Sequence, residues 1–351
     1  MIVKFLRLLF LMGSGILMLI ALSPPVQRWM DRRGFIPDQY SYGDLYNISN
    51  LSKFKEKNYV ANATLTNADK PVKRYKDVNL YTMGDSFTNI DTSWYAGGHN
   101  PHAWVGSEPL VVGKLDTTKK NILVIEFVER ILQERMYWPE YKKIYIENGI
   151  VPSVKPAASD TAAGPVPNKF TEWLLSGLGH EVNQRLEFIL FNGPPFIWLK
   201  EAKAELLLNL FGRVPGVVMS ANKKHLFYPI EVDTTYRLSA FRPIPDRKLD
   251  TLVTNMNTIR HHYLRMGFDE VYVCMIPNKV TILDSTRGSY NHQIERIEAN
   301  PRLQAPVISM IDTLRHHPNW YHLGDGHWNR NGKRFWVQQV NQLAARWSDH
   351  R

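Results

Sequence analysis

The chain opens with an apolar run. No charged residue occurs from Leu8 to Leu22, and Ile2–Phe5 carries the run backwards around Lys4. About 20 apolar residues span a bilayer as a helix, and Lys4 and Arg7 lie close enough to one end to snorkel. A cleavable signal peptide shares this outline, but cleavage wants small residues, and here they lead into Pro24-Pro25. Residues 1–27 are therefore expected to form an uncleaved transmembrane signal anchor. Its orientation is not encoded by charge, because Lys4 and Arg7 flank one side while Arg28, Arg32 and Arg33 flank the other.

Residues 28–75 are polar, rich in Asn, Ser, Lys and Tyr, and hold no sustained period, so they read as a juxtamembrane stalk. At Val78–Met83 the pattern becomes a short continuous apolar run ending in Gly84-Asp85-Ser86-Phe87, which predicts a buried strand, a turn and then a helix. Asn121–Val128 and Glu270–Ile276 are runs of the same kind, and helical spacing covers Lys248–Met266, Leu303–His316 and Gly332–Trp347. Buried strands alternating with helices predict an α/β fold with a mostly parallel sheet.

Residues 131–235 differ. They hold a Pro/Ala/Ser/Thr-rich loop at Val151–Pro167 and helical patterns at Phe170–Phe191 and Ile197–Phe211, and so read as a mostly helical insertion. The apolar stretch Phe188–Trp198, broken by Gly193-Pro194-Pro195, predicts two helices packed in the core across a proline turn. A membrane-touching or partner-docking hairpin is the alternative.

Composition narrows the class. A chain of 351 residues with 44% hydrophobic and 12% aromatic residues can bury a sizeable core and is not largely disordered. Its single cysteine, Cys274, excludes an intramolecular disulfide framework and a multi-cysteine metal site. Cys274 lies mid-strand in an apolar run and is expected to be a buried small residue. His180-Glu181 lacks the second histidine of a zincin helix, and the adjacent pairs His261-His262 and His316-His317 point apart on a helix. With no phosphate-cradling glycine loop either, no metal and no cofactor are expected.

Two short segments can do chemistry. Ser86 follows a strand, where parallel sheets place ligands and where amide N–H groups of a following helix would converge. A hydroxyl is a poor nucleophile without a base to take its proton. About 240 residues later, Asp325-Gly326-His327-Trp328-Asn329 sets an acid and a histidine two apart on a glycine turn. Such a carboxylate can fix one ring nitrogen and leave the other to face a nucleophile. Each segment alone is equally an ordinary polar turn capping a helix.

Together, strand–GDS–helix near the start and an Asp-x-His turn before the last helix resemble the SGNH/GDSL hydrolase superfamily. More narrowly, the chain resembles the alginate O-acetyltransferase (AlgX/AlgJ-like, DHHW) family. That resemblance rests on Gly84-Asp85-Ser86-Phe87, Val124–Arg130, Ile276-Pro277-Asn278-Lys279 and Asp325–Asn329, and covers residues 76–130 and 236–347. It implies a three-layer SGNH-like sandwich built from 76–130 and 236–351, with Ser86 as nucleophile, His327 as general base and Asp325 as its partner. It further implies a domain facing the periplasm or cell exterior from a single-pass cytoplasmic (inner) membrane anchor. The activity implied is O-acetylation of a cell-surface or exported polysaccharide through a Ser86 acyl-enzyme, with a membrane-bound O-acyltransferase as acyl donor partner. A carbohydrate esterase or deacetylase of the same fold, and a non-catalytic glycan-binding scaffold, are the alternatives.

Two departures stand out. In the alginate enzymes the Asp-x-His motif precedes the serine, whereas here it follows, and no G-x-N-D block is present. The side-chain oxyanion donor is therefore open, with Arg130 at its strand end, Asn100 and Gly98 in Gly97-Gly98-His99-Asn100, and Asn278 as candidates. Arg130 could equally be a structural ion pair with Glu126 or Glu129. Trp94, Tyr95 and Trp104 could stack on sugar rings or simply fill the core.

The net charge of +10 would suggest nucleic acid if it were spread evenly. It is not. Residues 1–33 hold five basic residues against one acid, residues 34–235 balance, and residues 236–351 hold 16 against 10. The excess is a membrane flank plus a moderately basic C-terminal third that includes Arg330, Lys333 and Arg334. This is compatible with an anionic glycan and is no longer a global hint of nucleic acid, which is not expected as a partner.

Overall fold

The three apolar runs form the middle of one sheet. In the computed structural model, which describes residues 2–23, 26, 29, 30, 33, 42–105, 110–112, 115–152, 186 and 189–349, the chain is mixed α/β with one apolar N-terminal helix. The elements in order begin with helices α1 (Ile2–Leu22), α2 (Asp44–Ser49) and α3 (Tyr59–Ala63). Strands β1 (Tyr75–Gly84), β2 (Gly97–His99), β3 (His102–Trp104), β4 (Leu110–Val112) and β5 (Lys120–Val128) follow. Next come α4 (Glu129–Arg135), α5 (Glu140–Lys142), β6 (Ile150–Pro152), α6 (Pro194–Phe211), β7 (Val218–Met219), β8 (Leu226–Phe227) and α7 (Pro229–Val232). The C-terminal part comprises α8 (Asp246–Arg265), β9 (Glu270–Ile276), α9 (Lys279–Leu283), α10 (Gln293–Glu298), α11 (Ile311–His316) and α12 (Arg330–Asp349).

The main sheet has the order β2-β1-β5-β9, with β3 also paired to β1, and every pairing in it is parallel. Strand β2 lies beside the first half of β1 and β3 beside its end, where Gly84 faces Trp104. Side chains alternate across the pleat. Tyr81, Met83, Leu123, Ile125, Val273 and Met275 pack with α8, whose buried Leu252, Met256, Ile259 and Tyr263 recur at helical spacing. Leu80, Ile122, Val124, Cys274 and Ile276 face the other way and pack with Trp336, Val337, Val340 and Ala344 of α12. Both faces are covered, which is why these strands read as unbroken apolar runs.

The chain divides into two compact units, Met1–Lys57 with Pro156–Pro215, and Asn58–Lys155 with Gly216–Arg351. The sheet lies in the second. Residues 58–75, expected as stalk, pack within that unit: Lys333 Nζ donates to the Ala63 carbonyl at 2.9 Å, and Arg330 pairs with Asp69 at 2.8 Å. Residues 131–155 and 216–235 of the expected insertion belong to the same unit. The loop from residue 153 and the helical pattern at Phe170–Phe191 lie outside the described residues, apart from 186 and 189–191. Leu303–His316 is helical only from Ile311. Upstream of it, Val307 bridges Val273 at the sheet edge.

Candidate active site

The turn after β1 is built by buried acids. Glu126, fully buried on the adjacent β5, accepts the Asp85 N–H at 2.9 Å and the Thr88 hydroxyl at 3.3 Å. A Cβ on Gly84 would fall onto that same carboxylate and hydroxyl, so only glycine lets the two strands' ends approach. Burial, and then the charge of Asp85, push the Glu126 carboxyl well above the usual carboxylate range. Asp85 turns back to accept the Phe87 N–H at 3.1 Å and lies 3.6 Å from the Arg135 guanidinium. This Asx-type turn replaces the expected helix. Residues 85–88 form a turn, and the next helical residues, Thr92–Trp94, are one 3₁₀ turn. The amides of Asp85, Phe87 and Thr88 are thereby used, and that of Ser86 donates to no partner among the described residues.

Ser86 is exposed between buried Asp85 and Phe87. Its Oγ lies 2.7 Å from His327 Nε2. On the far side of the ring, His327 Nδ1 lies 2.5 Å from Asp325 Oδ1, which also accepts the His327 backbone N–H at 2.8 Å. An ionised carboxylate only accepts, so Nδ1 carries the proton and Nε2 accepts from the Ser86 hydroxyl. Burial raises the Asp325 carboxyl, but hydrogen bonding and charge at His327, together with the Tyr59 hydroxyl, outweigh it and hold the group well below the usual range.

Three side chains fix the loop that carries this pair. Lys279, fully buried, donates from Nζ to the carbonyls of Leu323 and Asp325, each at 3.0 Å. Trp328, also fully buried, donates its indole N–H to the Phe87 carbonyl at 3.0 Å, tying the histidine loop to the serine turn. The Phe87 ring fills the space between, 4.6 Å from His327 and 5.4 Å from Trp328 by ring centroids. Gly326 must lack a Cβ because the Tyr228 ring would lie 2.5 Å from it.

Tyr59 donates its hydroxyl to Asp325 Oδ2 at 2.7 Å. Nothing local in the sequence marks this residue, because a lone tyrosine in a polar stretch, expected as stalk, carries no signal of such a partner.

The oxyanion candidates separate. Arg130 lies in the first turn of α4 rather than at the strand end, and its partner is Glu231 at 3.2 Å, not Glu126 or Glu129. Its guanidinium stacks 5.4 Å from both the Phe87 and Tyr228 rings, beside the serine turn. Asn278 is buried behind it and accepts the Arg130 backbone N–H at 3.0 Å, so it positions rather than faces the site. Gly98 and Asn100 lie apart. Gly98 sits between the pairs Tyr75–Gly97 and Asn79–His99, with its would-be Cβ 2.8 Å from the Lys76 carbonyl oxygen. That is the opposite end of β1 from Ser86. Asn100 donates to the carbonyls of Tyr95 and Gly97, closing its own loop.

Of the nearby aromatics, Tyr95 is core, bonded to the Trp336 indole at 2.9 Å, whereas Trp104 is exposed at the serine end of the sheet. Cys274 is buried. Arg330 and Lys333 bond to residues 63–69. An exposed hydroxyl on an imidazole backed by a buried carboxylate can be deprotonated as it attacks a carbonyl carbon. The chain matches no protein-family model, no curated protein and no solved structure.

Proposed function

We propose that the chain is a membrane-anchored acyltransferase of the SGNH type, with a three-layer α/β/α sandwich as its catalytic fold and a polysaccharide hydroxyl as acceptor. One observation carries this reading: Ser86 Oγ, both nitrogens of His327 and Asp325 Oδ1 follow one another at 2.7 and 2.5 Å. Ser86 Oγ attacks the acyl carbonyl carbon while His327 Nε2 takes its proton, and Asp325 balances the imidazolium that forms. Collapse of the tetrahedral oxyanion breaks the bond to the leaving oxygen, which takes the proton from Nε2, and leaves an ester on Ser86. The acceptor hydroxyl then gives its proton to Nε2 and attacks the same carbon, and collapse breaks the bond to Ser86 Oγ, which takes that proton back as the acylated acceptor departs.

The Ser86 N–H is the backbone donor for the oxyanion, and Arg130, whose guanidinium stacks on the Phe87 ring, is the cationic side chain that supplements it. One such donor is worth about 3 kcal/mol in comparable sites. Exposed Trp104, level with Gly84, supplies a platform for a sugar ring. Hydrolysis differs from transfer only in that water replaces the sugar hydroxyl. The apolar helix Ile2–Leu22 favours transfer, because an acyl group delivered at a membrane needs a tethered recipient. In this reading the catalytic unit faces the periplasm or cell exterior, and a membrane-bound O-acyltransferase is the donor partner.

The test uses a fluorophosphonate probe and p-nitrophenyl acetate with oligosaccharide acceptors. Wild type is expected to be labelled at Ser86 and to release nitrophenol, and Ser86→Ala to lose labelling and about 10³-fold or more of the rate with an unchanged circular dichroism spectrum. Turnover that survives in a folded Ser86→Ala protein would overturn the assignment. Nitrophenol release with no acylated sugar would replace the transferase by an esterase.

A further inference from the structure

Helix α6 wears its polarity inside out. Its acids point into its own unit: Glu201 accepts the Tyr46 hydroxyl at 2.6 Å and Lys55 Nζ at 2.9 Å, and Glu205 accepts the Ser52 hydroxyl at 2.9 Å. Ala204 is buried beside them. The opposite face carries Phe196, Leu199, Leu206 and Leu210, all between 40% and 69% exposed. With Lys203 these residues recur at steps of three and four, so they form one stripe along a helix about 27 Å long. Trp198 and Phe211 extend the exposed apolar surface at its flanks, and Phe191 joins it through an edge-to-face contact with Phe196 at 5.6 Å. The exposure of Leu190, Phe191, Phe196 and Trp198 corrects the expectation of core packing for this stretch, whose first residue, Phe188, lies outside the described residues. An apolar surface of this extent and continuity marks an interaction site.

We infer that α6 lies in the plane of a lipid bilayer surface, with Phe196, Leu199, Leu206 and Leu210 turned into the acyl chains. Two observations select lipid over a protein groove. The compact unit that contains α6 also contains α1, which is long and apolar enough to span a bilayer and is exposed along almost all of its length. The second is Lys203, centred in the stripe. In a protein groove its ammonium would be buried without a counter-charge, which is costly. At a bilayer surface its four-carbon stem lies along the apolar face while the charge reaches the headgroups. Trp198 and the flanking phenylalanines suit the same depth, where aromatic side chains concentrate. The inference rests on α1 being embedded, and the test separates the two.

Full-length protein is reconstituted into phosphatidylethanolamine–phosphatidylglycerol vesicles with single introduced cysteines carrying an environment-sensitive NBD probe. The positions are Leu206→Cys and Leu210→Cys on the stripe, Leu11→Cys on α1 and Lys53→Cys on the exposed polar surface. Cys274 is buried and stays unlabelled. At positions 206 and 210 the expected result is blue-shifted emission, quenched several-fold by lipids with nitroxide-bearing acyl chains and little by aqueous iodide. The probe at position 53 should show the reverse. If position 11 is lipid-quenched while 206 and 210 respond to iodide, the inference is overturned and the span stands. Absence of lipid quenching at position 11 would remove the span and the inference together. Shielding of 206 and 210 from both quenchers would replace lipid by a protein partner.

Discussion

A buried carboxylate that steadies an imidazolium does so best when its oxygens are occupied, and Asp325 accepts from His327 Nδ1, the His327 amide and the Tyr59 hydroxyl. Of these only Tyr59 can be removed without disturbing the histidine. Tyr59→Phe keeps the ring that packs 4.7 Å from His322 and deletes one donor to the acid. In the proposed reaction kcat should fall about 5- to 30-fold, the rate equivalent of about 1–2 kcal/mol, with KM unchanged. A rise in KM at constant kcat would instead make Tyr59 a substrate contact. Because Asp325 is held below its ordinary value, its contribution to stability is present above the ordinary carboxylate range and is lost as pH falls through and below it. Ser86, His327 and Asp325 were legible in the sequence because short motifs place them on turns of fixed form. Tyr59 was not, since its partner is 266 residues away.

Among the elements, the junctions carry the design. Strand β5 passes directly into α4 at Glu129, whose Oε2 accepts the Asn278 N–H at 2.8 Å and the Thr281 hydroxyl at 2.7 Å, both at the start of α9. Its Oε1 accepts the Tyr290 hydroxyl at 3.2 Å. One acid thus joins the ends of neighbouring strands β5 and β9, directly beneath Arg130 and Lys279. Burial pushes this carboxyl up from 4.5 to about 7, against the pull of its three hydrogen bonds. A raised value means that the folded state holds the proton more tightly, so the stabilisation is full below pH 4.5 and is lost as pH rises towards 7. Glu129→Gln keeps the acceptor for Asn278 and Thr281 and cannot ionise. Urea midpoints are therefore expected to decline for wild type between pH 4.5 and 7 and to decline less for the variant. Equal slopes would remove Glu129 as the source.

Legibility differed between elements for physical reasons. Strands β1, β5 and β9 are covered on both faces, and continuous apolar runs announced them within three residues at either end. Strands β2 and β3 have three residues each and depend on their pairing with β1, so nothing local marks them. In place of the helix expected after Ser86, residues 85–88 form a turn, closed by the Asp85 side chain and the Glu126 carboxylate. For α6 the apolar residues were plain, but periodicity alone does not say which side of a helix faces water.

At the scale of the whole molecule, the basic C-terminal third changes meaning. Arg330 and Lys333 secure residues 63–69 to the sheet-bearing unit, so charge that suggested a ligand is partly spent on architecture. What remains at this scale is the apolar helix Ile2–Leu22. An embedded helix of this length resists alkaline extraction. Full-length protein should remain in the membrane pellet after carbonate washing at pH about 11 and be released only by detergent, and its appearance in the supernatant would exclude a spanning helix. The hydrogen bond from the Trp328 indole to the Phe87 carbonyl bears on the order of events in synthesis. Its partners are 241 residues apart and near opposite ends of their compact unit. During translation the serine turn waits, without its histidine, until the 241 residues that separate Phe87 from Trp328 have been made. In the proposed reaction, Ser86 therefore has no base until the C-terminal part of the sheet-bearing unit has been made and has docked on the serine turn.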